Sequence, residues 1–167
     1  MKKRIFHILT TIEKGGAENF VVPLINSASS QHDISCFYLK GNGYYRNSLH
    51  ANGCKVIKLE YSFLNKILTF RKYINKYKPD IIVCHLQPAE FVTFFSTLFN
   101  NVKLISVRHN NKKYINNFFT LFIDNLLLFK CSKIITISNY IKKNLASRLF
   151  YKKKIYRIYY GTSFKKK

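Results

Sequence analysis

KPDIIVCHLQ, residues 78–87, decides the fold. Pro79 keeps the residue before it out of the helical region, so a helix ends there and a new element opens at Asp80. The run that follows, Ile81-Ile82-Val83-Cys84, is continuously apolar, and KIITIS over 133–138 reads the same way. A strand with no polar face needs cover on both sides, the condition of a parallel sheet between crossover helices.

Outward from this stretch, short β-type runs alternate with longer amphipathic segments. Strands are expected at Arg4–Leu9, Asp33–Leu39, Lys55–Leu59, Ile81–His85, Lys103–Val107, Lys133–Ile137 and Lys154–Ile158. Helices are expected at Gly16–Ser29, Tyr44–Asn52, Leu64–Tyr77, Ala89–Phe99, Tyr114–Phe129 and Asn139–Leu149. Strict alternation implies a doubly wound α/β domain with a mainly parallel sheet of about seven strands. Gly53 stands where the second helix should stop, and Ser138 follows a strand and can cap the last helix. No internal repeat, low-complexity segment or interdomain linker interrupts the pattern. Residues 159–167 are polar and basic and read as chain leaving the domain.

A chain of 167 residues with 47% hydrophobic content can bury a real core, which excludes a wholly disordered tail. Its 29 Lys and Arg against 7 acids give a net charge of +22, a field that attracts nucleic acid, acidic lipid or a nucleotide-activated substrate. Heavy Lys, Asn, Ile, Tyr and Phe usage also fits an AT-rich coding bias, so charge alone decides little. Cys36, Cys54, Cys84 and Cys131 form no C-x-x-C pair and read as buried free thiols of a reducing compartment. The apolar run after Met1-Lys2-Lys3-Arg4 is too short for a signal peptide, and Phe118–Phe129 is broken by Asp124-Asn125. The expected location is cytoplasmic, with attachment to a membrane surface left open.

Open α/β sheets bind ligands outside the carboxyl ends of their strands. That rule selects Thr10–Gly16, His85–Pro88, Arg108–Asn111 and Ser138. Gly15 and Gly16, in TTIEKGGAENF (10–20), would let backbone approach a ligand and bare helix N-terminal N–H groups to an anion. A tight turn explains the pair equally well, and neither the dinucleotide fingerprint nor a Walker loop is present. His85 and His109 could face one cleft as bases or as ligands of hydroxyl and phosphate groups, or simply be loop-capping histidines. Arg108 could bind phosphate or be solvated. Glu18 could serve a ligand or the helix dipole. His7, His32 and His50 read as structural or surface residues. No carboxylate pair, Ser–His–Asp order or metal-ligand spacing stands out.

These motifs in this order resemble glycosyltransferase family 4. ILTTIEKGGAENFVVPLI resembles its first strand, Gly-Gly-Ala-Glu loop and first helix; KPDIIVCHLQ resembles its Pro-Asp-apolar-His strand. KLISVRHN resembles the next strand ending in histidine, CSKIITISNYIKKNL the strand-Ser-helix segment, and KIYRIYYGTSF the closing strand and hinge. The resemblance covers almost the whole chain. It implies the acceptor-side, Rossmann-like half of a GT-B enzyme, over residues 1–158, with 159–167 starting the hinge. Carried over by position, His109 would be the cleft histidine near the transferred sugar. Gly15 and Gly16 would approach the donor diphosphate or the acceptor, and His85 and Ser138 would line the acceptor side. Glu18 matches by motif. A nucleotide sugar would be the co-substrate, with no metal or other cofactor, and a glycan or lipid-linked molecule the acceptor.

Two departures set limits to the resemblance. Tyr159 and Tyr160 replace the usual proline and asparagine of the hinge. The family's Glu-x7-Glu motif and basic pair of the second domain are missing, so the chain alone is expected to be inactive. It would then be a truncated product, one of two chains that assemble an enzyme, or a remnant. A separate donor-domain chain and an anionic membrane face would be its partners. The competing class is a basic module that binds nucleic acid or membrane without catalysis. Against it, no recognition helix, RNA-binding sheet signature or zinc pattern appears, so specific nucleic-acid binding is not expected.

Overall fold

The computed structural model describes residues 2–109, 118–146 and 154–159. Seven strands form one sheet: β1 (Arg4–Leu9), β2 (Asp33–Tyr38), β3 (Lys55–Lys58), β4 (Ile81–His85), β5 (Lys103–Arg108), β6 (Lys133–Thr136) and β7 (Ile155–Arg157). Their spatial order is β3-β2-β1-β4-β5-β6-β7, and every pairing is parallel. Between them run α1 (Glu18–Ser29), α2 (Arg46–Ala51), α3 (Phe63–Tyr77), α4 (Gln87–Ser96), α5 (Phe118–Lys130) and α6 (Asn139–Ala146). The fold is the doubly wound α/β architecture that the continuous apolar strands require.

The strands sort their side chains into two cores by parity. Phe6, Ile8, Phe37, Ile82 and Cys84 pack against α3, α4 and α5. Leu9, Ile34, Cys36 and Tyr38 pack against Val21, Val22 and Ile25 of α1 and Leu49 of α2. All four cysteines are buried, free thiols within these layers. In the first core Phe37 holds the rings of Phe6 and Phe70 at centroid distances of 4.9 Å each.

Local chemistry sets the element ends. Ser62 accepts a hydrogen bond from the Asn65 N–H and caps α3, which ends at Lys78 in a left-handed conformation (φ +45°) ahead of Pro79. Gly53, at φ +80°, turns the chain out of α2. Helix α4 starts at Gln87, two residues earlier than expected, because Pro88 is tolerated in a first turn that needs no N–H. It also stops at Ser96, short of Phe99. Helix α1 starts at Glu18, leaving the two glycines in the preceding turn. Strand β5 runs one residue past the expected end and takes in Arg108, paired with Thr136. The helical expectations over residues 114–117 and 147–149 lie outside the described residues. No helix among the described residues is long and apolar enough to cross a membrane.

The direction of successive crossovers reverses between β1 and β4. The chain leaves β1 toward β2 and returns from β3 to β4, so the loops behind these two central strands diverge and open a crevice. Phe70 is fully buried, and Phe70→Ala should lower unfolding free energy by about 3–5 kcal/mol by opening a cavity under β1 and β2. Urea denaturation would measure this, with m unchanged.

Candidate functional site

The crevice at the carboxyl ends of β1 and β4 is a cleft of ≈ 620 Å³. Its walls include Thr10, Thr11 and Gly16 behind β1, Leu86 behind β4 and His109 behind β5. Lys40, just past β2, also reaches it, as does Glu18 from the first turn of α1. A smaller apolar groove of ≈ 300 Å³ joins it through Thr10, Lys40 and Pro88, and continues to Leu39, Phe63 and Phe91. Thr10 Oγ1 is buried without a hydrogen-bond partner where the two spaces meet.

The two glycines have different reasons for their identity. A Cβ on Gly15 would overlap the Glu18 carboxylate, which folds back over that turn. A Cβ on Gly16 meets nothing within 4 Å and would simply project into open space beside the cleft. Gly15 makes room for Glu18, whereas no neighbouring protein atom requires glycine at position 16. The loop that carries them is tied down: Glu13 Oε1 accepts from the Gly43 N–H at 2.6 Å, and Tyr45 N–H donates to Ile12 O at 3.0 Å. Gly41, at φ +98°, lies so close that a Cβ would sit 2.6 Å from the same Glu13 oxygen.

At the opposite wall Leu86 has φ +68° and ψ 151°, a region that L residues avoid. The strand-to-helix turn after His85 is thus held in a strained shape, and the surrounding fold maintains it. The sequence carries no sign of this, because leucine there looks like any other apolar residue.

Three histidines form a row beneath the cleft. His7 Nδ1 lies 3.1 Å from His85 Nε2, and His85 Nδ1 lies 3.1 Å from His109 Nε2. The first two rings are nearly parallel, with an interplanar angle of 15°. His7 and His85 are buried, while His109 lines the cleft. Burial pushes the His7 and His109 imidazoles down to about 4. It pushes His85 well below the usual range, with its two neighbours adding repulsion. All three are therefore neutral at pH 7. His7, which reads from the sequence as structural or surface, is buried and stands behind His85, away from the cleft lining. Strand parity carries the signal, since Leu9 pairs with His85 and His7 shares Leu9's face.

Arg108 stands apart from these residues. Its guanidinium turns away from the cleft, with Nη2 donating to Asp124 Oδ1 at 2.5 Å and lying 2.8 Å from Glu90 Oε2. Ser106 Oγ donates to the other Glu90 oxygen. This buried triad clamps β5 to α4 and α5, and no local pattern marks Glu90 and Asp124 as partners of Arg108. Burial, aided by the Asp124 charge, pushes Glu90 up to about 7 despite the guanidinium. Ser138 Oγ accepts from the Ile141 N–H and caps α6, while its neighbour Ile137 reaches the cleft. The structure thus gathers Gly16, Glu18 and His109 around the cleft, with His85 behind and Gly15 beneath Glu18. It leaves Ser138 at the margin and Arg108 outside. Asn110 and Asn111 lie outside the described residues.

The sequence profile of Glycosyltransferase Family 4 matches residues 14–165. The chain belongs to glycosyltransferase family 4. A Campylobacter jejuni protein, named as an α-1,4-N-acetyl-D-galactosaminyltransferase acting on GalNAc-α-(1→4)-GalNAc-α-(1→3)-diNAcBac-PP-undecaprenol, is 25% identical across 67% of this chain and 34% of its own length. The Anabaena protein Alr3699/HepE, solved with UDP and glucose, superposes with a TM-score of 0.76 at 15% identity over 96% of this chain and 45% of that one. The lipopolysaccharide outer core galactosyltransferase WaaB gives 0.74 at 17% identity, over 97% of this chain and 47% of its own. These structural likenesses speak for the fold: the family-4 domain has the Rossmann-like architecture of one half of a GT-B enzyme. The chain spans about a third of the Campylobacter relative and under half of each of the two solved proteins.

Two outcomes follow for this family-4 domain. Between pH about 4 and 6.5 the unfolded chain binds protons at three histidines that the folded chain keeps neutral, so these groups make stability rise with pH. Glu90 opposes them, since up to about 7 the folded chain keeps a proton the unfolded one has lost. Three groups outweigh one, and stability should fall by about 1–3 kcal/mol per pH unit on acidification through this window. Urea midpoints read at several pH values would show it, and a flat profile would contradict it. Arg108→Ala should cost about 3–5 kcal/mol, because Glu90 is left buried without its cation. Ligand affinity at the cleft, measured calorimetrically on the folded fraction, should not change.

Proposed function

We propose that residues 1–158 are the acceptor-side half of a glycosyltransferase that moves a sugar from a nucleotide-sugar donor to a glycan or lipid-linked acceptor. Residues 159–167 would then open the hinge toward a donor-side domain. The observation that carries this reading is the family-4 cleft itself. His109, Gly16 and Glu18 converge at the switch point of the sheet, where an α/β domain presents its ligand site.

In this reading His109 contacts the transferred sugar from below. Gly16 leaves room for the donor diphosphate or the acceptor, and Gly15 does so indirectly by seating Glu18. His85 holds His109 in place, and Ser138 fixes the end of β6 by capping α6. The nucleotide sugar is a co-substrate whose larger part the donor-side half would bind, so transfer needs both halves in contact. The apolar groove beside the cleft, with Lys40 and Lys66 at its edge, suits an acceptor that carries both a lipid and a phosphate. The names of the Campylobacter protein and of WaaB, an undecaprenol-linked glycan and a lipopolysaccharide core, support an acceptor of that class and a role in building the cell envelope. Exposed Phe63, Leu64 and Leu68 on α3, in a chain of net charge +22, favour work at an anionic membrane face on the cytoplasmic side.

The test is turnover of sugar nucleotides by the chain alone and after adding a family-4 donor-side domain, with lipid-linked glycans as acceptors. Product is expected only in the mixture. His109→Ala should reduce it by on the order of a hundredfold or more while leaving the fold intact. Product from the chain alone, or full activity without His109, would overturn the assignment.

A further inference from the structure

All seven acidic side chains of the chain fall among the described residues, and six of them have a partner there. Asp33 pairs with the Arg4 guanidinium and Asp80 accepts from the Arg4 N–H. Asp124 and Glu90 hold Arg108, Glu13 accepts from the Gly43 N–H, and Glu60 lies 3.8 Å from Lys58. Glu18 is the seventh. It is 6% exposed, yet among the described residues its carboxylate makes no hydrogen bond and no ion pair. Enclosing a carboxylate without a donor is costly. The helix dipole does not account for it, because a carboxylate that serves a helix end takes hydrogen bonds from the free N–H groups or stays in water. The start of α1 has no side-chain cap, and Glu18 is enclosed. Gly15 admits the carboxylate to its place, since a Cβ there would overlap it, and Glu18 also lines the cleft. A donor for it can come from that space.

We propose that Glu18 is the residue by which the cleft reads a sugar, its two carboxylate oxygens accepting from adjacent hydroxyls of a pyranose. The charges decide the class of ligand. A phosphate at that spot would set a second anion against the first. A cationic ligand would have to approach a chain of net charge +22 beside Lys40, which lines the same cleft. A neutral hydroxyl meets neither repulsion, and an O–H donor to a carboxylate forms a short, strong hydrogen bond. A carboxylate offers two acceptor oxygens, so a pair of neighbouring hydroxyls satisfies it best. The cleft volume of ≈ 620 Å³ lies within the range of about 300–1,000 Å³ usual for small-ligand sites. The proposal rests on the transferase reading above for the origin of the sugar. The end of a glycan acceptor and the transferred sugar of the donor offer the same hydroxyls, and experiment separates them.

The experiment is an NMR titration of the full chain labelled with ¹³C at the glutamate carboxyl carbons. Methyl glycosides of glucose, galactose and N-acetylgalactosamine stand for the acceptor, and UDP-glucose against UDP stands for the donor. The Glu18 signal should move with a sugar while that of Glu90, held by Arg108, stays in place. Glu18→Gln should weaken binding of the sugar by about tenfold or more without weakening that of UDP. A deoxy glycoside that lacks the hydroxyls read by Glu18 should bind both proteins alike, which a structural role for Glu18 would not produce. An effect with the glycosides places the acceptor at Glu18. An advantage of UDP-glucose over UDP that Glu18→Gln removes places the transferred sugar there. A Glu18 signal unmoved in both arms, or sugar affinity untouched by Glu18→Gln in a folded protein, would overturn the proposal. So would tighter UDP binding by the variant with sugar binding unchanged, which would give the spot to phosphate. Should Glu18→Gln fail to fold, the Glu18 signal of the unsubstituted chain decides alone. Neither arm measures transfer, so a failed transfer assay leaves this result standing, and the reverse also holds.

Discussion

The pairing of β1 with β4 is the constraint on which the rest depends. These strands lie side by side in parallel although 71 residues separate the end of one from the start of the other, Leu9 and Ile81. Their register, Leu9 opposite His85, brings two carboxyl ends to one level and lets the following loops part. The crevice follows from that divergence, and so does the approach of the Gly15-Gly16 turn to the His109 wall. Any slip of one residue would turn His85 to the other face, among Cys84's neighbours, and break the histidine row.

Around this pairing the fold divides its tasks between the two faces of the sheet. The face under α3, α4 and α5 is aromatic and apolar, with one buried charge cluster where Arg108 holds Glu90 and Asp124. The face under α1 carries the histidines, which are kept neutral by burial. Buried charge is thus gathered at a site that clamps helices to β5, while the cleft combines neutral histidine rings with the Glu18 carboxylate and Lys40. Strain is placed at the same edge, in the left-handed backbone of Leu86.

Much of the site was legible in the sequence because the rule of carboxyl ends acts on strands that hydrophobic runs mark clearly. Gly16, His85 and His109 could be placed from where apolar runs stop. Arg108 follows the apolar stretch LISV and so reads as a loop residue, yet its strand extends to pair with Thr136 and its side chain finds two carboxylates from distant helices. His7 lies inside a strand and so reads as structural, and only the β1–β4 register shows that its side chain meets that of His85. The difference between Gly15 and Gly16 was likewise invisible, because it depends on where the Glu18 carboxylate folds.

The sequence by itself determined the parallel sheet, the alternation of elements and the edge where a ligand site is expected. Those properties depend on local patterns: apolar runs without a polar face, turn residues and helix caps. Only the tertiary structure decided the strand order with its switch point, the histidine row and the burial of Arg108 between Glu90 and Asp124. These depend on contacts between residues 16 to 78 positions apart, whose side chains meet only once register and crossover direction are settled. No local pattern encodes a distance of that kind.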